Sequence, residues 1–278
     1  MKALARTAAA LTAQDIGRAA THALHDELAL SPKPGLVTLT DRGSHADMDG
    51  HTFMRSLFAL RGYFVRIAEL GAAGAPFAAL ERCGIAAEAR MLAATGGINT
   101  HRGAIFMLGL LCASAGALAA SGERASPPAL RRALMAHWGE ALRARALRPS
   151  TLPGGMAARR LGLRSASDEA ALGFPTLFET AEPALRAARA RGLATPAARL
   201  DTLFAVMAVL DDSNLAHRGG LEGLRFARAA ARNFLAAGGA SQGTAAAAAV
   251  GAEFVRRRLS PGGAADTLAA ACWLERLG

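Results

Sequence analysis

The stretch Gly103-Ala104-Ile105-Phe106-Met107-Leu108-Gly109-Leu110-Leu111-Cys112-Ala113-Ser114-Ala115-Gly116-Ala117-Leu118-Ala119-Ala120-Ser121-Gly122 decides how the whole chain is read. It carries no charge, and its length would suit a membrane span. Yet Gly103, Gly109, Gly116, Ser114 and Ser121 interrupt it. Small residues let a helix approach its neighbours closely. We read the stretch as the central helix of an all-α protein and work outward from it.

Upstream, a helix is expected from about Pro76 to Ala94, broken by Thr95-Gly96-Gly97. Before that, Phe53, Leu57, Leu60, Phe64 and Ile67 recur at three- and four-residue spacing, one apolar helical face. The first helix is expected over Ala13 to Leu30 with Thr12 as N-cap. Ser31-Pro32-Lys33-Pro34-Gly35 must stop it, since two prolines and a glycine cannot continue a helix. A polar loop then runs through His51, itself a candidate helix start.

Downstream, Pro127-Pro128 opens a helix carrying Leu130, Leu134 and Trp138. Residues 149–174 are rich in Gly, Pro, Ser and Arg and predict a long irregular connection. Helices resume over about Pro175 to Arg191, Pro196 to Leu210, Leu221 to Ala237, Gln242 to Leu259 and Gly262 to Leu277. No segment alternates apolar and polar residues for long. The expected fold is therefore all-α: one domain over 1–278, a bundle of about ten helices without a substantial sheet.

Composition agrees. Apolar residues make up 52% of the 278, enough for a sizeable core and too many for a disordered chain. Aromatics are 5%, and Tyr63 is the one tyrosine. Lys and Arg number 32 against 22 Asp and Glu, a formal charge of +10. A nucleic-acid partner would add a recognisable module or interleaved aromatics, and neither is seen. The plain reading of the charge is a solvated basic surface; as a polyanionic partner, a phosphorylated small molecule explains it at least as well as a nucleic acid. Cys83, Cys112 and Cys272 are far apart with no CxxC, which points to reduced, buried thiols. The opening Met1-Lys2-Ala3-Leu4-Ala5-Arg6 is followed by a stretch too weakly apolar for a signal peptide. A cytoplasmic protein, with no membrane partner, is expected.

Five polar, glycine-bearing segments separate the apolar helices: Glu27 to Val37, Gly43 to Met48, Glu88 to Gly103, Asp211 to Gly220, and Leu259 to Asp266. Each suits a polyphosphate site. Glycine lets backbone approach an anion, and helix N-termini present free N–H groups to it. Arg102 and Arg218 could fork onto phosphate oxygens. Asp47 and Asp212 could hold Mg²⁺, which takes one or two carboxylates beside phosphate oxygens and water. No Walker A loop or dinucleotide fingerprint is present. Taken singly, Ser31-Pro32-Lys33-Pro34-Gly35 is an ordinary helix stop, and Asp211, Asp212 or Ser213 an ordinary cap. His22, His25 and His137 read as structural or exposed. One internal echo stands out: Asn99-Thr100-His101-Arg102-Gly103 and Asn214-Leu215-Ala216-His217-Arg218-Gly219-Gly220 each open a helix.

In this order and spacing, the five segments resemble the triphosphoribosyl-dephospho-coenzyme A synthases. The likeness spans about Glu27 to Leu274 and is most specific in Leu30-Ser31-Pro32-Lys33-Pro34-Gly35-Leu36-Val37, Gly96 to Gly103, and Leu259 to Asp266. It is closer to the branch serving malonate decarboxylase than to the one serving citrate lyase. Three positions depart from the family pattern. Thr38 stands where an acidic residue can occur, Arg102 where lysine is usual in the citrate-lyase branch, and His217 where a non-histidine residue can occur. Arg102 keeps the charge, and His217 carries little catalytic weight.

The resemblance implies that ATP and 3′-dephospho-coenzyme A yield 2′-(5″-triphosphoribosyl)-3′-dephospho-coenzyme A and adenine. The product then passes to an acyl-carrier-protein holo-synthase step. Breaking the ribosyl–adenine bond builds oxocarbenium character at C1′, which calls for a carboxylate, a base and an acid. The product is described as α-linked, which implies inversion by a single displacement. Under this reading Glu27, Glu88, Asp47 and Asp212 supply the carboxylates, with Glu27 and Glu88 the choices for the base and Asp47 and Asp212 for metal. Lys33, Arg102 and Arg218 contact phosphates. His45, Asn99, His101 and Asn214 orient substrate, and Gly35, Gly97, Gly219 and Gly263 permit close backbone approach. Mg²⁺ is expected with ATP. Two other readings compete: an N-glycosidic hydrolase of the ADP-ribosylglycohydrolase type, and a non-catalytic helical adaptor for a carrier protein.

Overall fold

The structure, a computed structural model, describes residues 11–278. The basic start Met1 to Arg6 lies outside the described residues. Helix α1 (Ala13–Ala29) begins at Thr12, whose hydroxyl accepts the Asp15 N–H while the Asp15 carboxylate accepts the Thr12 N–H. This reciprocal cap satisfies two donors that a helix start otherwise leaves open. The expected stop follows at Leu30. Helix α2 (Gly50–Ala72) starts at Asp49, which accepts the Thr52 N–H at 2.9 Å. Helix α3 (Phe77–Thr95) ends on Gly96 in the left-handed conformation.

Helix α4 (Arg102–Ala120) is the quoted uncharged stretch. It packs against α1, α2, α3, α5 (Pro127–Ala146) and α12 (Gly262–Leu277). Leu108, Leu111, Cys112 and Ala113 are wholly buried. A Cβ at Gly116 would overlap the Ala68 carbonyl of α2, and one at Gly109 would overlap the Tyr63 hydroxyl. The small residues therefore let α2 and α4 touch backbone to backbone. The Tyr63 hydroxyl donates to the Ile105 carbonyl at 2.9 Å, so its burial leaves no open donor. Truncating Leu108 or Leu111 to alanine would cost about 2–5 kcal/mol. Most of the buried apolar side chains from α1 to α12 form one contiguous core.

The region 149–174 differs from the expected irregular connection. It folds into α6 (Pro153–Arg160) and α7 (Ala166–Ala171). Helix α7 has a full reciprocal cap between Ser165 and Asp168, a signal that the Gly- and Pro-rich surroundings obscured. These two short helices account for twelve α-helices where about ten were expected. A π-helical stretch, Thr176–Ala181, runs directly into α8 (Glu182–Ala190), and α9 (Thr195–Val209) follows. Helix α10 (Ser213–Ala236) starts before the expected Leu221, since its first turns precede a break at Gly220. Helix α11 (Ala245–Arg256) precedes α12. Among the described residues there is no strand.

Candidate active site

All five polar segments meet at one cleft of about 1090 Å³. Glu27, His45, His101, Asn214 and Asp266, one from each segment, line it. The starts of α4, α10 and α12 thus face a common space, with the end of α1 beneath them.

That α1 end is closed by an internal ion pair. The Lys33 ammonium donates to the Glu27 carboxylate and, at 2.6 Å, to the Glu27 carbonyl. Both residues are buried. Burial lowers the Lys33 pKa and Glu27 opposes that shift. Lys33 is therefore committed to Glu27 and is not placed as a phosphate ligand; a buried ammonium must be paired. Glu27 itself lines the cleft. Gly35 has a function other than the expected approach to ligand. Its φ of 66° is left-handed, and a Cβ there would overlap the Leu259 carbonyl. The residue packs the first segment against the fifth.

The start of α4 is differently built. Asn99 Oδ1 accepts the Arg102 N–H at 3.1 Å, and the Arg102 guanidinium reaches Glu88 at 2.6 Å. Asn99, Arg102 and Glu88 all line the cleft. His101 is 3% exposed, with Nδ1 2.6 Å from Ser56 Oγ and its ring edge-on to Phe53. Burial first, and Lys33 second, lower its pKa to about 3, so the ring is neutral at physiological pH. Its Nε2 has no partner, nor has the buried Thr100 hydroxyl oxygen. Buried polar atoms are nearly always paired, so two open atoms in a cleft wall mark a place for ligand.

Asp212 behaves in the opposite way. One oxygen accepts the Asn214 and Leu215 N–H groups at 2.9 and 3.2 Å, and the other accepts Ala264 N–H at 2.9 Å. The carboxylate ties the starts of α10 and α12 together at 1% exposure. Burial still outweighs those donors and raises its pKa to about 6. Asp47 is exposed and reaches His45 Nδ1 at 3.8 Å. The Asp47 and Asp212 pair does not fit a metal centre: one carboxylate is spent on backbone, and the other faces solvent. Among the described residues no group of three or more His, Cys, Asp or Glu side chains converges as a metal cage.

His45 and Arg218 form a bridge across the cleft rim. Arg218 donates to the carbonyls of Ser44 and Arg258 at 3.1 and 3.0 Å and to His45 Nδ1 at 3.1 Å. His45 Nε2 then donates to Ser260 Oγ at 2.9 Å. Burial and the Arg218 charge lower the His45 pKa, which keeps the ring neutral and this tautomer in place. Asn214 and Gly263 line the cleft. Gly97 sits in the turn closing α3, with its N–H on Leu92 O at 2.7 Å, and Gly219 packs under Leu259.

The family described as ATP:dephospho-CoA triphosphoribosyl transferase matches residues 13–278. The chain belongs to this family. It is 40% identical over 272 residues to the probable 2-(5''-triphosphoribosyl)-3'-dephosphocoenzyme-A synthase of Vibrio cholerae, covering 93% of this chain and 86% of the relative. The synthase of Pectobacterium atrosepticum is 40% identical over 266 residues, covering 92% and 86%. That of Klebsiella pneumoniae is 38% identical over 269 residues, covering 94% of each. No solved structure matches.

Two parts of this cleft were not legible in the sequence. Asp266 lies in the fifth segment, one turn into α12, and lines the cleft. Its position four residues after Gly262 was the available signal. The second part is a wall formed by 145–168 facing α3. Arg145 pairs with Glu81 at 2.9 Å and lies 5.2 Å over the Phe106 ring. Arg148 also reaches Glu81, while Arg159 makes no ion pair among the described residues. Arg159 was hidden because 149–174 reads as a connection, and Arg145 and Arg148 because they lie at and just past the end of α5, outside the five polar segments.

Proposed function

We propose that this transferase moves the 5-triphosphoribosyl group of ATP onto the 2′-hydroxyl of 3′-dephospho-CoA, with release of adenine. One observation carries the reading: all five segments of the family resemblance line a single cleft. A volume of about 1090 Å³ stands at the upper end for small-molecule sites, in keeping with two nucleotides bound together. Carboxylates at the inner end suit a cationic transition state at C1′. Arg102 at the start of α4 and Arg218 in the second turn of α10 suit one polyphosphate; Arg145, Arg148 and Arg159 suit the other.

Mg²⁺ enters in this reading as part of the ATP substrate, coordinated chiefly by phosphate oxygens and water. Displacement is direct and inverting. The product is the precursor of the prosthetic group on the acyl-carrier subunit of malonate decarboxylase, delivered through a holo-synthase step in the cytoplasm.

The test is incubation of the protein with Mg²⁺-ATP and 3′-dephospho-CoA, followed by mass detection of adenine and adduct. Stoichiometric appearance of both is expected. Adenine release that ignores dephospho-CoA would establish a hydrolase instead. No adenine release at all would leave the adaptor.

A further inference from the structure

We propose that Asp266 is the acid that hands a proton to the departing adenine. The proposal rests on the transfer reaction above and names a group for one of its steps. From α12 the Asp266 side chain reaches across to the start of α4. A Cβ at Gly103 would overlap Asp266 Oδ2, so only glycine lets the carboxyl lie there in the cleft wall.

Two other carboxylates, Glu27 and Asp212, lie near enough to act on Asp266 by charge, and the surroundings of the three differ. Glu27, from α1, is matched by the Lys33 ammonium. Asp212, at the start of α10, is matched by backbone N–H groups. Asp266 faces both charges. The nearby cations are engaged elsewhere: Lys33 with Glu27, and Arg102 with Glu88. His101 is neutral and supplies no charge. When like charges share a site, the least compensated group keeps its proton. Burial first, then Glu27 and Asp212, hold the Asp266 carboxyl well above the ordinary range, and the Ala104 N–H only partly offsets them. An independent feature marks the same helix start as a ligand site: the buried, unpartnered His101 Nε2.

In the step, the Asp266 carboxyl proton passes to a ring nitrogen of adenine. The electron pair of the C1′–N9 bond leaves with the base. The acceptor 2′-oxygen closes the new bond to C1′ from the opposite face, and its proton passes to water. Asp266 then regains a proton from water.

The experiment compares wild type and Asp266→Asn with two donors. One is Mg²⁺-ATP; the other is ribose 5-triphosphate bearing 4-nitrophenol at C1′, a group that leaves without protonation. With ATP the variant is expected to lose about 10²–10⁴-fold in kcat. With the nitrophenyl donor the loss shrinks to less than about tenfold, a difference no merely structural role would give. Equal losses with both donors, or none with either, would overturn the proposal. Should Asp266→Asn not fold, the wild-type pH profile decides. A fall in kcat at high pH with ATP, absent with the nitrophenyl donor, supports the acid; profiles that coincide reject it. Failure of wild type to form adduct from ATP would count against the transfer reading itself. Adduct formation by a fully active Asp266→Asn would count against Asp266 alone.

Discussion

The starts of α4 and α10 carry nearly the same letters and do opposite work. At α4, Asn99 caps the helix from its flank, and His101 Nε2 and the Thr100 hydroxyl are left open at the cleft. At α10, the Asp212 carboxylate fills the helix start and ties it to α12. The first start is built to receive something; the second is already occupied by its own chain. The His-Arg-Gly echo, expected to open both helices, stands at the first residues of α4 but in the second turn of α10, so it fixes neither where a helix begins nor whether its donors are free. The deciding residue lies outside the echo: Asp212 precedes Asn214 by two positions, and nothing acidic precedes Asn99 at that distance.

The hardest way to break this comparison is to empty the occupied start. Asp212→Ala removes a helix cap, worth about 1 kcal/mol, and leaves the buried Ala264 N–H open, about 1–3 kcal/mol more. A loss of about 2–4 kcal/mol is expected in denaturant unfolding at pH 5. The pH dependence follows from the sign of the shift. Its folded pKa of about 6 lies above the unfolded value. The native state therefore holds the proton more tightly, and that stability is complete below about pH 4 and lost as pH rises through 6. The gap between wild type and Asp212→Ala should narrow from pH 5 to pH 8. A widening gap would mean that Asp212 is favoured as a carboxylate, as a metal ligand would be.

The open start should lose function instead. His101→Ala is expected to cut kcat/KM about 10–10²-fold, about 1.4–2.8 kcal/mol at the transition state. Its helical content should be unchanged by circular dichroism. Because the ring is neutral down to about pH 3, the substitution should leave the shape of the activity profile between pH 5 and 8 unaltered. Its effect on stability has the opposite slope to that of Asp212. The native state resists protonating this histidine, so wild type loses stability as pH falls below about 6.5, and His101→Ala should not.

These contrasts mark what was readable beforehand. Periodicity and helix stops located ten of the twelve helices, because Phe53-to-Ile67 spacing and Pro-Gly interruptions are local signals. The small residues of 103–122 also pointed correctly to close helix packing. The five segments converge as expected, but the duties of individual residues depend on partners far away in sequence. Lys33 turns inward because Glu27 lies beneath it. Gly35 is required by Leu259, and Asp212 is claimed by Ala264. Asp266 was passed over since its significance arises from Gly103 and Glu27, both distant along the chain. The 149–168 part of the wall was missed because proline and glycine content masked the Ser165–Asp168 cap.

A smaller effect tests the flank cap. Asn99→Ala removes the acceptor for the Arg102 N–H and should cost about 0.5–2 kcal/mol of stability. Arg102 keeps its ion pair with Glu88, so KM for ATP should rise less than about threefold. A larger rise would make Asn99 a substrate contact as well as a cap.

The smallest effect should come from the histidine that the echo pairs with His101. His217 lines the cleft but is exposed, in the second turn of a helix whose first N–H groups Asp212 already accepts. Its ring is not held by Phe53 or a serine as His101 is, so it can point to solvent at little cost. His217→Ala should change stability by no more than about 0.5 kcal/mol and kcat/KM by less than about twofold. Measured beside His101→Ala under the same conditions, the pair gives the comparison its sharpest form. Equal losses would mean that the two helix starts serve ligand alike, despite their different caps. A loss confined to His101 would fix the open Nε2, rather than the His-Arg-Gly pattern, as the feature that matters.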